Sequence, residues 1–115
     1  MSMKIYHNPK CSKSRETLQL LHKQGYKPEI IFYLEKPPTK AQLREIITKL
    51  DRNVDALIRK GEDEYKAHFT AVDLSDEATL IDLLIAYPKV IERPIVVSET
   101  GAVIGRPPEA VSVLF

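Results

Sequence analysis

The opening third of the chain constrains the fold most, because it reads strand, helix, strand. Lys4-Ile5-Tyr6-His7 is a short β-branched and aromatic run, and Asn8-Pro9 stops it. From Ser12 the pattern is helical, with Leu18, Leu20 and Leu21 towards one side and Gly25 where a helix C′ residue belongs. Glu29 to Leu34 is a second strand, apolar on consecutive positions, as expected of a strand covered on both faces. A strand, a crossover helix and a second strand within about 30 residues make a βαβ unit, which requires a parallel pair.

The middle of the chain is helical. Thr39 and Gln42 form a capping box ahead of Leu43, Ile46, Ile47 and Leu50 at helical spacing. A shorter helix starts near Asn53 and carries Ala56, Leu57 and Ile58; another starts after Ser75 and ends before Pro88. The chain then returns to strand: Pro94-Ile95-Val96-Val97 and Ala102-Val103-Ile104 flank the turn Ser98-Glu99-Thr100-Gly101. Pro107-Pro108-Glu109 opens a last helix with Ala110, Val111 and Leu114. The order predicts an α/β fold: a thioredoxin-like (glutaredoxin-like) small mixed sheet with a helical insertion between its βαβ and ββα halves. One domain over residues 1–115 is expected, its core at about 3–34 and 90–115 and its insert at about 39–87. In folds of this kind a cis-proline opens the third strand and faces the reactive cysteine, which makes Arg93-Pro94 the candidate bond.

Composition excludes several classes. A length of 115 residues with 43% apolar side chains suits one packed domain rather than a disordered chain. A net charge of +1 provides no basic field, so no nucleic-acid partner is expected. No apolar run reaches the about 18 residues of a membrane helix, and no secretory leader pattern opens the chain. A single cysteine excludes a disulfide framework and any zinc site built on several cysteines; a reducing, cytoplasmic setting follows as the expectation.

That cysteine, Cys11, sits where the first strand hands over to a helix N-terminus, a position that favours an anion and so a thiolate. His7, Lys10, Lys13 and Arg15 can place positive charge near it, and Ser12 and Ser14 can donate hydrogen bonds. The flank Asn8-Pro9-Lys10-Cys11-Ser12-Lys13-Ser14-Arg15 is too polar for an ordinary buried cysteine. Ser14 stands where a Cys-x-x-Cys oxidoreductase carries its second thiol, so an oxidised Cys11 needs an external thiol such as glutathione to resolve it. Cys11 and Arg15 are too close for the phosphate loop of tyrosine phosphatases, and the loop has no glycine; an anionic substrate needs arginines from elsewhere. Arg59, Arg93 and Arg106 stand at element ends, and guanidiniums gathered round a thiolate would bind a tetrahedral oxyanion through paired N–H groups. His7 and Cys11 are too few to hold a structural metal, and none is expected. His22 and His68 are read as structural.

The segments His7-x-x-x-Cys11-x-x-x-Arg15, Phe32-Tyr33-Leu34-Glu35-x-Pro37-Pro38-Thr39, Leu57-Ile58-Arg59-Lys60, Glu92-Arg93-Pro94-Ile95-Val96-Val97 and Gly105-Arg106-Pro107-Pro108 resemble the glutaredoxin-coupled bacterial arsenate reductases, in that family's order and spacing from about Lys4 to Phe115. The resemblance implies reduction of arsenate to arsenite. It implies that Cys11 forms a thioarsenate adduct, that glutathione, as co-substrate, resolves it, and that glutaredoxin reduces the resulting mixed disulfide. It further implies that His7 and Ser14 lower and hold the thiolate, that Arg15 closes the signature, and that Arg59, Arg93 and Arg106 bind the oxyanion. No bound cofactor is implied. Family members often extend past the last helix, whereas this sequence stops at Phe115. Two alternatives stay open: a monothiol oxidoreductase of the same fold acting on another oxyanion or a glutathione mixed disulfide, and a non-enzymatic regulator of the related family that binds RNA polymerase. Ser14 and the retained arginines count against the regulator, which commonly carries Cys-x-x-Cys there.

Overall fold

The computed structural model describes residues 3–115. Among them are strands β1 (Met3–Tyr6), β2 (Glu29–Ile31), β3 (Ile95–Ser98) and β4 (Ala102–Ile104), and helices α1 (Ser12–Lys23), α2 (Lys40–Leu50), α3 (Asp63–His68) and α4 (Glu77–Ala86). Short 3₁₀ turns cover Val54–Leu57, Pro88–Val90 and Pro108–Leu114. The backbone divides into two compact units: the described residues up to Lys36 with Arg93–Phe115, and Pro37–Glu92.

The first unit is a mixed sheet in the order β2-β1-β3-β4. β1 and β2 run parallel, joined by α1; β1 with β3 and β3 with β4 run antiparallel. One face of the sheet buries Met3, Ile5 and Val96 against Leu21 of α1 and Val111 of the last turn. Side chains of this size each contribute about 1.5–3 kcal/mol when fully buried. Gly25 ends α1 at φ +87, the left-handed conformation that closes a helix cheaply only in glycine. The hairpin turn Ser98 to Gly101 is locked by Ser98 N–H donating to the Gly101 carbonyl at 2.8 Å.

β2 departs from the sequence expectation. It pairs only with β1, so it is an edge strand, and Glu29 and Ile30 are exposed rather than covered on both faces. It also stops at Ile31, because the Glu35 and Lys36 N–H groups both donate to the Phe32 carbonyl and fold the next residues into a turn. The final helix is a 3₁₀ turn rather than an α-helix, opened by Pro108.

In the second unit, the Thr39 hydroxyl accepts from Gln42 N–H at 3.1 Å and the Gln42 side chain accepts from Thr39 N–H at 2.9 Å, so the expected capping box opens α2. Leu43, Ile46 and Ile47 of α2 are buried, as are Leu80, Ile81 and Leu84 of α4, which packs on it. Asp76 caps α4 by accepting from Thr79 N–H. α3 has no counterpart in the sequence reading: its six residues bury no side chain fully and so carry no apolar period. Next to it, Phe69 is fully buried and His68 stacks on Tyr87 at 4.1 Å. Among the described residues no helix is long and apolar enough to cross a membrane.

Candidate active site

Cys11 is the N-cap of α1, with extended backbone angles and a half-buried side chain. The loop that presents it is held by its own polar groups. Asn8 accepts Cys11 N–H on its carbonyl at 3.0 Å and Lys10 N–H on its side-chain oxygen at 3.0 Å, a turn that asparagine followed by proline favours. Arg15 donates from Nη1 to the Pro9 carbonyl at 2.8 Å, which ties the first turn of α1 back onto the loop.

Three groups act directly on the sulfur. Partial burial pushes the thiol pKa up, but Ser14 N–H, the Arg93 guanidinium as hydrogen-bond donor, Lys13 N–H and the Arg93 charge together outweigh it. The net result lies below an ordinary cysteine, so the thiolate is favoured. The helix-terminal N–H groups favour the anion without a full capping hydrogen bond to the side chain.

The remaining residues of the signature take other places. His7 and Ser14 are both buried, and their Nδ1 and Oγ atoms are 2.6 Å apart. Ser14 Oγ also accepts Asn8 N–H at 3.1 Å. Burial first, and then the Arg15 charge, lower the His7 pKa, so the imidazole is favoured neutral. We assign the proton accordingly: Ser14 O–H donates to Nδ1, leaving the proton of the ring on Nε2. The positive charge that the sequence suggests at His7 is therefore disfavoured by burial, and the cation acting on the sulfur is Arg93. Phe32, just past the end of β2, stands with its ring 6.0 Å from that of His7, and His7 N–H donates to the Ile31 carbonyl at 2.8 Å.

Arg93 and Arg106 leave β3 and β4 at one end of the sheet. The register pairs Ile95 with Ile104, and Gly105 N–H extends it by donating to the Pro94 carbonyl at 2.9 Å. The same end carries His7, since Tyr6 pairs with Ile95. Both Arg93-Pro94 and Arg106-Pro107 are cis. A side chain at Gly105 would lie 2.6 Å from Thr17 Oγ1 and 2.8 Å from Pro94 Cγ, so only glycine permits this approach. Arg106 itself is exposed.

Arg59 lies in the second unit. Its backbone N–H donates to the Val90 carbonyl at 2.7 Å, beside the antiparallel bridge between Ile58 and Ile91. Its Nη1 donates to Glu92 Oε1 at 3.3 Å, and its Nε is 3.6 Å from Glu62 Oε1. Sequence reasoning missed Asn8, Gly105, Glu62 and Glu92. Two signals are present: an Asn-Pro dipeptide that ends one residue short of the cysteine, and a glutamate three residues after Arg59, within ion-pairing reach in a turn. Among the described residues no group of three or more His, Cys, Asp or Glu side chains is placed to hold a metal ion.

A mixed four-stranded sheet with one cysteine capping its crossover helix, and a cis-proline opening the neighbouring antiparallel strand, defines a thioredoxin-like protein with a single activated thiol. The sequence matches the ArsC family over residues 6–114, and the chain belongs to that family. It is 49% identical over 110 residues to an Escherichia coli K12 protein named "Uncharacterized protein YfgD", covering 95% of this chain and 92% of that one. It is 42% identical over 107 residues to the arsenate reductase of Escherichia coli K12, covering 93% of this chain and 76% of the relative. The solved structure of an arsenate reductase from Vibrio cholerae superimposes with a TM-score of 0.90 at 44% identity, covering 100% of this chain and 98% of that one.

Proposed function

We propose that this protein reduces arsenate to arsenite, with Cys11 as nucleophile and glutathione and glutaredoxin as the external reductants. The observation that carries the reading is the state of Cys11: the only cysteine of the chain, at a helix N-terminus, with its thiolate favoured by Ser14 N–H and by the Arg93 guanidinium. The names of its relatives support the choice of arsenate.

The Cys11 thiolate attacks the arsenic of arsenate. A sulfur–arsenic bond forms and one arsenate oxygen leaves as water, taking up protons. Glutathione thiolate then attacks Sγ of Cys11. The new sulfur–sulfur bond forms as the sulfur–arsenic bond breaks, its electron pair stays on arsenic, and arsenic falls from the +5 to the +3 state. Glutaredoxin thiolate takes the glutathione from the mixed disulfide and returns the Cys11 thiolate. Arg93 and Arg106 bind the oxyanion and offset its charge, and the family resemblance assigns Arg59 to the same task. Ser14 and neutral His7 hold the loop that carries the thiol, and Arg15 braces it through Pro9.

The test is a coupled assay of the purified chain with glutathione, glutaredoxin, glutathione reductase and NADPH. Arsenate-dependent NADPH oxidation is expected, and Cys11→Ser abolishes it. No arsenate dependence, with turnover of a glutathione mixed disulfide retained, would sink the arsenate reading and leave the monothiol oxidoreductase.

A further inference from the structure

Arg59 and two carboxylates are placed together by the backbone. Arg59 N–H to Val90 carbonyl and Glu92 N–H to Leu57 carbonyl, at 2.7 and 2.6 Å, flank the Ile58–Ile91 bridge. In such an antiparallel pair residues 57, 59, 90 and 92 share one face, and the Arg59 and Glu92 side chains are diagonal neighbours on it. Glu62 is brought in by a turn, its N–H donating to the Arg59 carbonyl at 3.3 Å. All three side chains are about three-quarters covered: 24% of Arg59, 27% of Glu62 and 25% of Glu92 remain exposed.

A guanidinium grips an oxyanion bidentately by one of two edges, the one that includes Nε or the terminal one that includes Nη1. Glu62 faces the first edge at 3.6 Å and Glu92 takes the second at 3.3 Å. Two carboxylates against one guanidinium also leave this group with excess negative charge, which repels an anion as it approaches.

We propose that Glu62 and Glu92 form a carboxylate latch on Arg59, so that an oxyanion engages this arginine only by displacing one of them. The latch rests on the reading of Arg59 as an oxyanion-binding residue. Glu62 is the arm that yields first, because 3.6 Å is beyond hydrogen-bond length whereas Glu92 is within it. Both acids are positioning residues that act through Arg59. Their consequence is selectivity: a compact, doubly charged oxyanion competes with a carboxylate for the guanidinium better than a singly charged one does.

The test uses Glu62→Gln, with Glu92→Gln as second variant. Glu62 is the N-cap of α3 but its side chain makes no capping bond, so the exchange removes no capping hydrogen bond. In the coupled assay the latch predicts a KM for arsenate lowered about three- to tenfold in Glu62→Gln, the scale of one partly covered ion pair, with a larger change in KM than in kcat. The gain vanishes in the Arg59→Ala/Glu62→Gln double variant. Isothermal titration with sulfate, a non-reducible oxyanion, reads the same tightening without turnover. A raised KM in Arg59→Ala together with an unchanged or raised KM in both glutamine variants overturns the latch and leaves Arg59 as an oxyanion residue. An unchanged KM in Arg59→Ala overturns both. A wild type that does not turn over arsenate, but whose sulfate affinity still tightens in Glu62→Gln, overturns the proposed reaction and retains the latch.

Discussion

Arg93 and Arg59 are the same residue type at the same kind of place, the end of a short extended segment, yet the two units give them opposite partners. In the first unit Arg93 faces a thiol and makes its own counter-ion, because its charge and hydrogen bond help draw the proton off Cys11. In the second, Arg59 faces Glu92 and Glu62, which are anions already. A guanidinium next to a titratable thiol creates reactivity. One held between two carboxylates has its field cancelled and is released only by competition. The candidate chemistry therefore concentrates in the first unit, and the second holds a cation in reserve.

The contrast is broken most forcefully at Arg93. Arg93→Ala removes both the hydrogen bond and the charge on the sulfur, so the thiol pKa rises towards that of a free cysteine. Turnover of arsenate, as kcat/KM, should fall about 10²- to 10³-fold, the usual cost of losing one preorganised donor at a reacting centre. Thiolate absorbance followed against pH checks the first effect and the coupled assay the second. Arg59→Ala should leave the thiol titration where it is. If it moves the titration as far as Arg93→Ala does, the distinction between the two arginines is wrong.

Ser14→Ala tests how far the loop, rather than the cation, holds the thiol ready. It leaves Asn8 N–H and His7 Nδ1 without their partner in a buried setting, at a cost of about 1–3 kcal/mol, measurable by urea denaturation. His7 gives the matching pH dependence. Burial and Arg15 hold its pKa below the ordinary 6.5, so the unfolded chain binds a proton that the folded chain refuses. Stability from this source is complete above 6.5 and is lost as the pH falls from there towards the folded pKa. Melting temperatures compared between about pH 7.5 and 5.5 should drop more for the wild type than for His7→Gln. Equal drops would mean that His7 is not held neutral by the fold.

Local rules carry much of this architecture in the sequence. The Thr39–Gln42 capping box, Gly25 at the end of α1, the Ser98–Gly101 turn and the placement of Cys11 at the start of α1 each follow from a few adjacent residues, and each is present. The misreadings have a common cause, since they depend on neighbours remote in sequence. Ile30 and Ile31 look like a central strand, but only the strand order shows that β2 has one partner. His7 looks like a cation until Ser14 and Phe32 are seen around it and its burial is known. Sequence reports the charges of Arg59, Arg93 and Arg106 but not what lies against them, a thiol for Arg93 and two carboxylates for Arg59. The spacing that places Glu62 after Arg59 was legible; the pairing of Leu57–Arg59 with Val90–Glu92, which delivers Glu92, was not.

The smallest expected effect is also the control for the whole contrast. Thr39→Ala removes one half of the capping box at the start of α2, where the hydroxyl accepts Gln42 N–H at 3.1 Å on an exposed surface. Losing such a cap costs about 1 kcal/mol of stability. The lost bond lies wholly within the second unit, whereas the groups that set the Cys11 pKa, namely Ser14, Lys13 and Arg93, all belong to the first. Denaturation should therefore register the loss while the thiol titration stays at its wild-type position. If weakening this cap shifts the thiolate curve, the sulfur answers to the second unit as well, and the division of labour between Arg93 and Arg59 has to be redrawn.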